Sequence, residues 1–89
     1  MTDPRHATDN FAVYPLSGLP EGAAATVVRL PKGRRAYSRL VNMGLKIGSE
    51  VQVVRNSIGG GPVLLATGLT RLAIGRGMAR QVTVRSARA

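Results

Sequence analysis

Turn-forming residues break this chain into short pieces. Eleven glycines and five prolines fall in 89 residues. Such punctuation calls for many tight turns between short strands. Only Phe11, Tyr14 and Tyr37 are aromatic, while 44% of the residues are apolar. The core must therefore be built from Val, Leu, Ile, Ala and Met, which bury less area per residue than aromatic side chains. A chain of this length hides roughly 60–65% of its unfolded surface, enough for one modest core and one domain.

The apolar pattern places the elements. Met1 to Asn10 is polar and carries Pro4, so residues 1–14 are expected to be a flexible extension, with the domain at 15–86. Phe11 to Leu16 is either a short strand or an apolar strap. Pro20-Glu21-Gly22 has turn chemistry. Ala24 to Leu30 is the first strand, with Thr26, Val28 and Leu30 on one face. Arg34 to Met43 is the one helical segment. At 100° per residue, Ala36, Leu40 and Met43 form its apolar side, flanked by Tyr37 and Val41. Arg34, Arg35, Ser38, Arg39 and Asn42 form its polar side. Gly44 stands where a left-handed C-cap belongs. Glu50 to Asn56 alternates as a half-buried strand, with Val51 and Val53 on one face.

Ser57 to Gly61 is a glycine-rich loop closed by Pro62. Val63 to Thr67 and Thr70 to Ile74 are strands joined by the two-residue turn Gly68-Leu69. Gly75 to Arg80 suits a single helical turn, Val82 to Arg85 a last short strand, and Ser86 to Ala89 a frayed end. Five short strands in one open sheet would leave long edges, and closure removes most of them. The expected fold is all-β: a small SH3-like β-barrel of about five short strands, with one short helix inserted after the first strand.

Catalysis lacks parts. The chain has no cysteine, one histidine and four acidic side chains. His6 lies between Asp3 and Asp9 in the extension, where nothing preorganises a metal site. That leaves Glu21 and Glu50, both in or next to turns. Ser17, Ser38, Ser49 and Ser57 have no histidine partner within the folded part, so no nucleophile–base pair can be assembled. Gly59-Gly60-Gly61 lacks the Lys-Ser/Thr of a phosphate-binding loop. Met43 and Met78 are most simply core fillers. The chain is expected to be no enzyme, to need no cofactor and to hold no metal. With no cysteine, no signal-peptide pattern and no stretch long enough to span a bilayer, a cytoplasmic location is expected.

The charge points outward. Thirteen basic residues stand against four acidic ones, a formal net charge of +9. Such a chain attracts an anionic partner: an acidic protein face, an anionic membrane surface or nucleic acid. A nucleic-acid-binding barrel is the alternative reading. It is disfavoured because single-strand readers present several aromatics for base stacking, and only Tyr37 lies in the folded centre, on the apolar side of the helix.

A run of short motifs carries a family resemblance. It opens with Leu16-Ser17-Gly18-Leu19-Pro20-Glu21-Gly22 and a strand ending Val27-Val28-Arg29-Leu30. The stretch Arg39-Leu40-Val41-Asn42-Met43-Gly44-Leu45-Lys46-Ile47-Gly48 follows. Then come Val51 to Asn56, Gly59-Gly60-Gly61-Pro62, Leu72-Ala73-Ile74-Gly75 and Met78 to Val84. In order and spacing, this run resembles the FeoA family of bacterial ferrous iron uptake. The resemblance implies an SH3-like barrel and an accessory role. It also implies a partner, the FeoB-type ferrous iron transporter with its cytoplasmic GTP-binding domain. The chain would then lie beside the inner membrane through that partner. The chain departs from the family pattern at Arg76 to Arg80, where acidic residues are expected, and in the segment before Leu16. The expected contact is the polar face of the helix, Arg35, Arg39 and Asn42, with the adjoining turn Met43, Gly44 and Leu45.

Overall fold

Turn chemistry decides where each strand stops. A computed structural model describes residues 11–57 and 59–87. In chain order these form strand β1 (Phe11–Pro15), a 3-10 turn (Leu16–Gly18), β2 (Ala24–Arg29), helix α1 (Arg34–Asn42), β3 (Glu50–Arg55), β4 (Val63–Thr67), β5 (Thr70–Ile74), the short helix α2 (Arg76–Ala79) and β6 (Thr83–Ala87). All strand pairs are antiparallel, in the order β1-β6-β2-β3-β4-β5. The β4–β5 hairpin turns on Gly68-Leu69. Gly68 takes φ +59°, and among the described residues no non-glycine residue has positive φ. Only the first central residue is then left-handed, as in a type II′ turn, which matches the twist of the flanking strands.

One face of the sheet closes over a single core. Val27 of β2, Val51 and Val53 of β3, Val63 and Leu65 of β4, Leu72 and Ile74 of β5 and Val84 of β6 belong to one buried cluster. Five consecutive neighbours can share one core only if the sheet curls around it. Two irregularities in register, at Val27/Arg29 and Val53/Arg55, supply bends, since a bulge kinks a strand and raises its twist. Leu16, Leu40 and Ala79, each 0% exposed, bring the 3-10 turn and both helices into the same core. The architecture is the expected small all-β barrel.

Several details differ from expectation. The described residues form six strands where about five were expected, because Phe11–Pro15, left open as strand or strap, pairs along β6 from Phe11↔Ala87 to Pro15↔Thr83. The last four residues assigned to the extension therefore begin β1, while residues 1–10, His6 among them, lie outside the described residues. The final strand is Thr83–Ala87, so it starts one residue later than expected and takes in Ser86 and Ala87. Val82 is left out of the ladder, and its carbonyl accepts from Leu16 N–H (2.8 Å). On β2 the core face is Ala25 and Val27, with Thr26 and Val28 only half-buried. Leu30 is nevertheless buried, because the bulge after Val27 shifts the alternation by one. On α1, Tyr37 is 46% and Val41 37% exposed. A helix that covers the end of a small barrel can bury only a narrow stripe, and here that stripe is Leu40 with half-buried Ala36 and Met43.

Candidate surface site

α1 carries three exposed arginines, Arg34, Arg35 and Arg39, and its sequence explains both ends. Gly33 is the N-cap in extended conformation, with no side-chain capping bond, and the first turn holds no acidic residue. Exposed Lys32, Arg34 and Arg35 therefore sit beside the positive end of the helix dipole with no local compensation. At the other end the chain makes a Schellman termination. Gly44, at φ +101°, donates its N–H to Val41 O (2.9 Å), and Leu45 donates to Leu40 O (2.9 Å). This is the 5→2 and 6→1 pattern, and it needs a left-handed residue at position 44. The usual hydrophobic partners of the motif are Leu40 and Leu45, both 0% exposed.

Of the six expected contact residues, five reach the surface. Arg35, Arg39 and Asn42 are exposed and recur at i, i+4 and i+7, so they share one stripe. Met43 is half-buried and Gly44 exposed. Leu45 is fully buried, so it anchors the helix end and cannot itself touch a partner. Arg34, Arg35 and Arg39 have no hydrogen-bonded side-chain partner among the described residues. Arg39 and Met43 also line a cleft of about 370 Å³ with Ala73, Gly75 and Met78. Cation, thioether and exposed backbone thus meet where α1 ends beside the exit of β5.

Arg76 and Arg80, the basic pair that stands where the family pattern leads one to expect acidic residues, divide. Arg80 is exposed, but Arg76 is a structural group. Its Nη2 donates to Asn56 Oδ1 (2.8 Å) and Ser57 O (3.0 Å), and its Nε donates to Gly61 O (3.1 Å). Asn56 Nδ2 in turn donates to Ser17 O (3.0 Å) and Leu19 O (2.6 Å), and its backbone N–H donates to Glu21 Oε2 (3.0 Å). One asparagine thereby ties the 3-10 turn, the Pro20–Gly22 turn, the glycine-rich loop and α2. The sequence signals for this were slight: an Asn closing a strand and an Arg after a Gly.

Among the described residues no group of three or more His, Cys, Asp and Glu could hold a metal ion, and no helix is long and apolar enough to cross a membrane. Tyr37 is exposed rather than packed inward, yet one aromatic does not make a stacking platform. The surface is suited to an acidic, partly apolar protein segment.

Comparison with known proteins agrees with the motifs. Residues 14–86 match the FeoA domain model. A candidate Fe(2+) transport protein A of Methanocaldococcus jannaschii is 41% identical over 75 residues, which cover 84% of this chain and 89% of that protein. The crystal structure of an iron uptake regulatory protein, FeoA, superposes with a TM-score of 0.78 at 39% identity, over 83% of this chain and 97% of that one. The zinc complex of Stenotrophomonas maltophilia FeoA superposes with a TM-score of 0.67 at 32% identity, over 83% and 96% of the two chains. That protein is described as a prokaryotic SH3 domain protein and a candidate activating factor of ferrous iron transport.

Proposed function

This chain belongs to the FeoA domain family, and from that premise we propose that it is a non-enzymatic accessory of ferrous iron uptake. It docks on the cytoplasmic GTP-binding part of a FeoB-type transporter and supports or regulates it. Ferrous iron is the transporter's cargo, and among the described residues no group of three or more His, Cys, Asp and Glu could hold it. The observation that carries the reading is the family match over residues 14–86. The stripe Arg35, Arg39, Asn42 with Met43 and Gly44 supports it as the contact, because its guanidinium groups are exposed and have no partner among the described residues. The protein works on the cytoplasmic face, held near the membrane by its partner.

The test is co-purification with the transporter. Arg35→Glu with Arg39→Glu reverses the charge of two exposed groups and leaves every core residue in place. Recovery of the complex is expected to fall about tenfold or more, because like charges across an interface repel. Circular dichroism should show an unchanged fold. Undiminished recovery overturns the site assignment, and a wild-type protein that recovers no transporter overturns the partner.

A further inference from the structure

The sheet order leaves β1 and β5 with one neighbour each. A strand edge with free backbone groups is a template for another strand. The two edges are not equivalent. β1 ends in Pro15, which lacks an N–H to offer. β5 runs Thr70–Ile74 without proline.

Register fixes which groups of β5 face outward. Across a two-residue turn the closing pair Thr67↔Thr70 is hydrogen-bonded, and bonded and non-bonded pairs then alternate. Leu65↔Leu72 and Val63↔Ile74 are therefore bonded pairs, while Ala66↔Arg71 and Leu64↔Ala73 are non-bonded ones. In a non-bonded pair both backbone groups of each residue point away from the partner strand. Arg71 and Ala73 thus aim two N–H and two C=O groups at the free edge. No backbone hydrogen bond from another element reaches them among the described residues, and both residues are exposed.

Ala73 also lines the cleft shared by Arg39, Met43, Gly75 and Met78. The cleft offers the adaptable apolar surface of two half-buried thioethers. Arg39 lines it with charge, and exposed Arg71 lies two residues before Ala73 on the same face of β5. The acidic side chains of the described residues are elsewhere, Glu21 in the turn after the 3-10 segment and Glu50 at the start of β3. A second copy of this chain would bring the same +9 charge to the edge, and like charges on paired strands are destabilising. We propose that the free edge of β5, with the cleft beside it, takes an extended acidic segment of a protein partner as a seventh strand. Its backbone would pair with Arg71 and Ala73. One apolar side chain would enter the cleft, and neighbouring carboxylates would meet Arg39 and Arg71. This deepens the docking surface proposed above and shares Arg39 and Met43 with it.

Two arms test the proposal. In the first, ¹⁵N-labelled protein is titrated with a blocked Glu-Val-Glu-Val-Glu peptide and with its Lys-Val-Lys-Val-Lys counterpart. The acidic peptide is expected to give saturable shifts at the Arg71 and Ala73 amides and slower hydrogen exchange there, and the basic peptide neither. Shifts confined to the arginine side chains, or equal responses to both peptides, overturn strand pairing. In the second arm, Ala73→Pro deletes the outward N–H and spares the bonds to β4, a placement that edge strands tolerate. Ala73→Ser keeps the N–H. Binding of the acidic peptide and of the transporter's cytoplasmic domain should fall about tenfold or more with the proline and stay within about threefold with the serine, as expected when main-chain bonds supply the affinity. If the proline variant melts, amide protection in the wild type decides alone. Equal binding by both variants refutes the edge. The peptide arm needs no transporter, so a transporter that fails to bind overturns the reading above and leaves this one standing.

Discussion

Replacing Asn56 by Ala removes the link that most widely separated segments share. The wild-type amide donates to Ser17 O and Leu19 O and accepts from Arg76, all in a half-buried setting. The alanine leaves two carbonyls without their donor. Each lost neutral bond is worth about 1 kcal/mol net, and the two together about 2 kcal/mol. The bond from Arg76 is charge-assisted, which would set it higher, but half-exposure screens it to below about 1 kcal/mol. Arg76 also keeps Ser57 O and Gly61 O as acceptors, so α2 and the loop stay partly tied. The sum is a loss of about 2–3 kcal/mol. For a domain of this size each kcal/mol lowers Tm by about 4–8 °C, so the expected drop is about 10–20 °C. Thermal melts followed by circular dichroism measure it directly. A double-mutant cycle with Arg76→Ala isolates the Asn56–Arg76 bond and should return about 0.5–1 kcal/mol of coupling. A drop under about 3 °C, or a coupling of zero, would refute the claim that Asn56 and Arg76 tie these segments together.

Other substitutions separate core from surface. Leu45→Ala should cost about 2–5 kcal/mol by urea denaturation, because a buried side chain leaves a cavity; a near-neutral result would mean the residue is not the buried anchor of α1. Gly44→Ala should lose about 1–2 kcal/mol although its Cβ would meet nothing within 4 Å, since the cost lies in the left-handed backbone alone. Gly77→Ala is the converse. It sits in α2 with open space around a Cβ and no positive φ, so alanine should raise stability by about 0.5–1 kcal/mol in the same assay. Basic side chains near an anionic leaflet contribute about 1 kcal/mol each. Sedimentation with anionic vesicles should therefore exceed that with neutral ones by about tenfold or more at low salt. Equal binding to both would remove the membrane surface as a secondary partner.

What could be read from the sequence follows the range of the interaction that fixes each feature. The β4–β5 hairpin and the end of α1 were legible because each is decided within six residues, by Gly68 in one case and Gly44 in the other. The alternation of Val51 and Val53 was legible because period 2 holds along an uninterrupted strand. It misled on β2, where a bulge after Val27 returns Leu30 to the core face. A bulge depends on the partner strand, which lies far along the chain. The Asn56–Arg76 tie spans 20 residues, and the Asn56 bonds to Leu19 and Ser17 span 37 and 39. No local pattern encodes them.

The candidate site divides in the same way. Arg35, Arg39 and Asn42 lie on one stripe by helical period alone, so their exposure was readable. Leu45 follows them in sequence and was grouped with them, but helix termination sends it the other way. A Schellman turn folds the residue after the glycine back toward the last turn of the helix, and here that residue is apolar and fully buried. Burying Leu45 beside Leu40 in the core fixes where α1 stops. That stop sets Arg39 and Met43 over the cleft that they share with Ala73. The residue that cannot touch a partner is thus the one that positions those that can. A variant that loosens position 45 should weaken docking only as far as it loosens the helix end. Reversing the charge of exposed Arg39, which lies in the last turn of α1, should weaken docking while lowering stability by no more than about 1 kcal/mol, the cost of a carboxylate at the negative end of the helix.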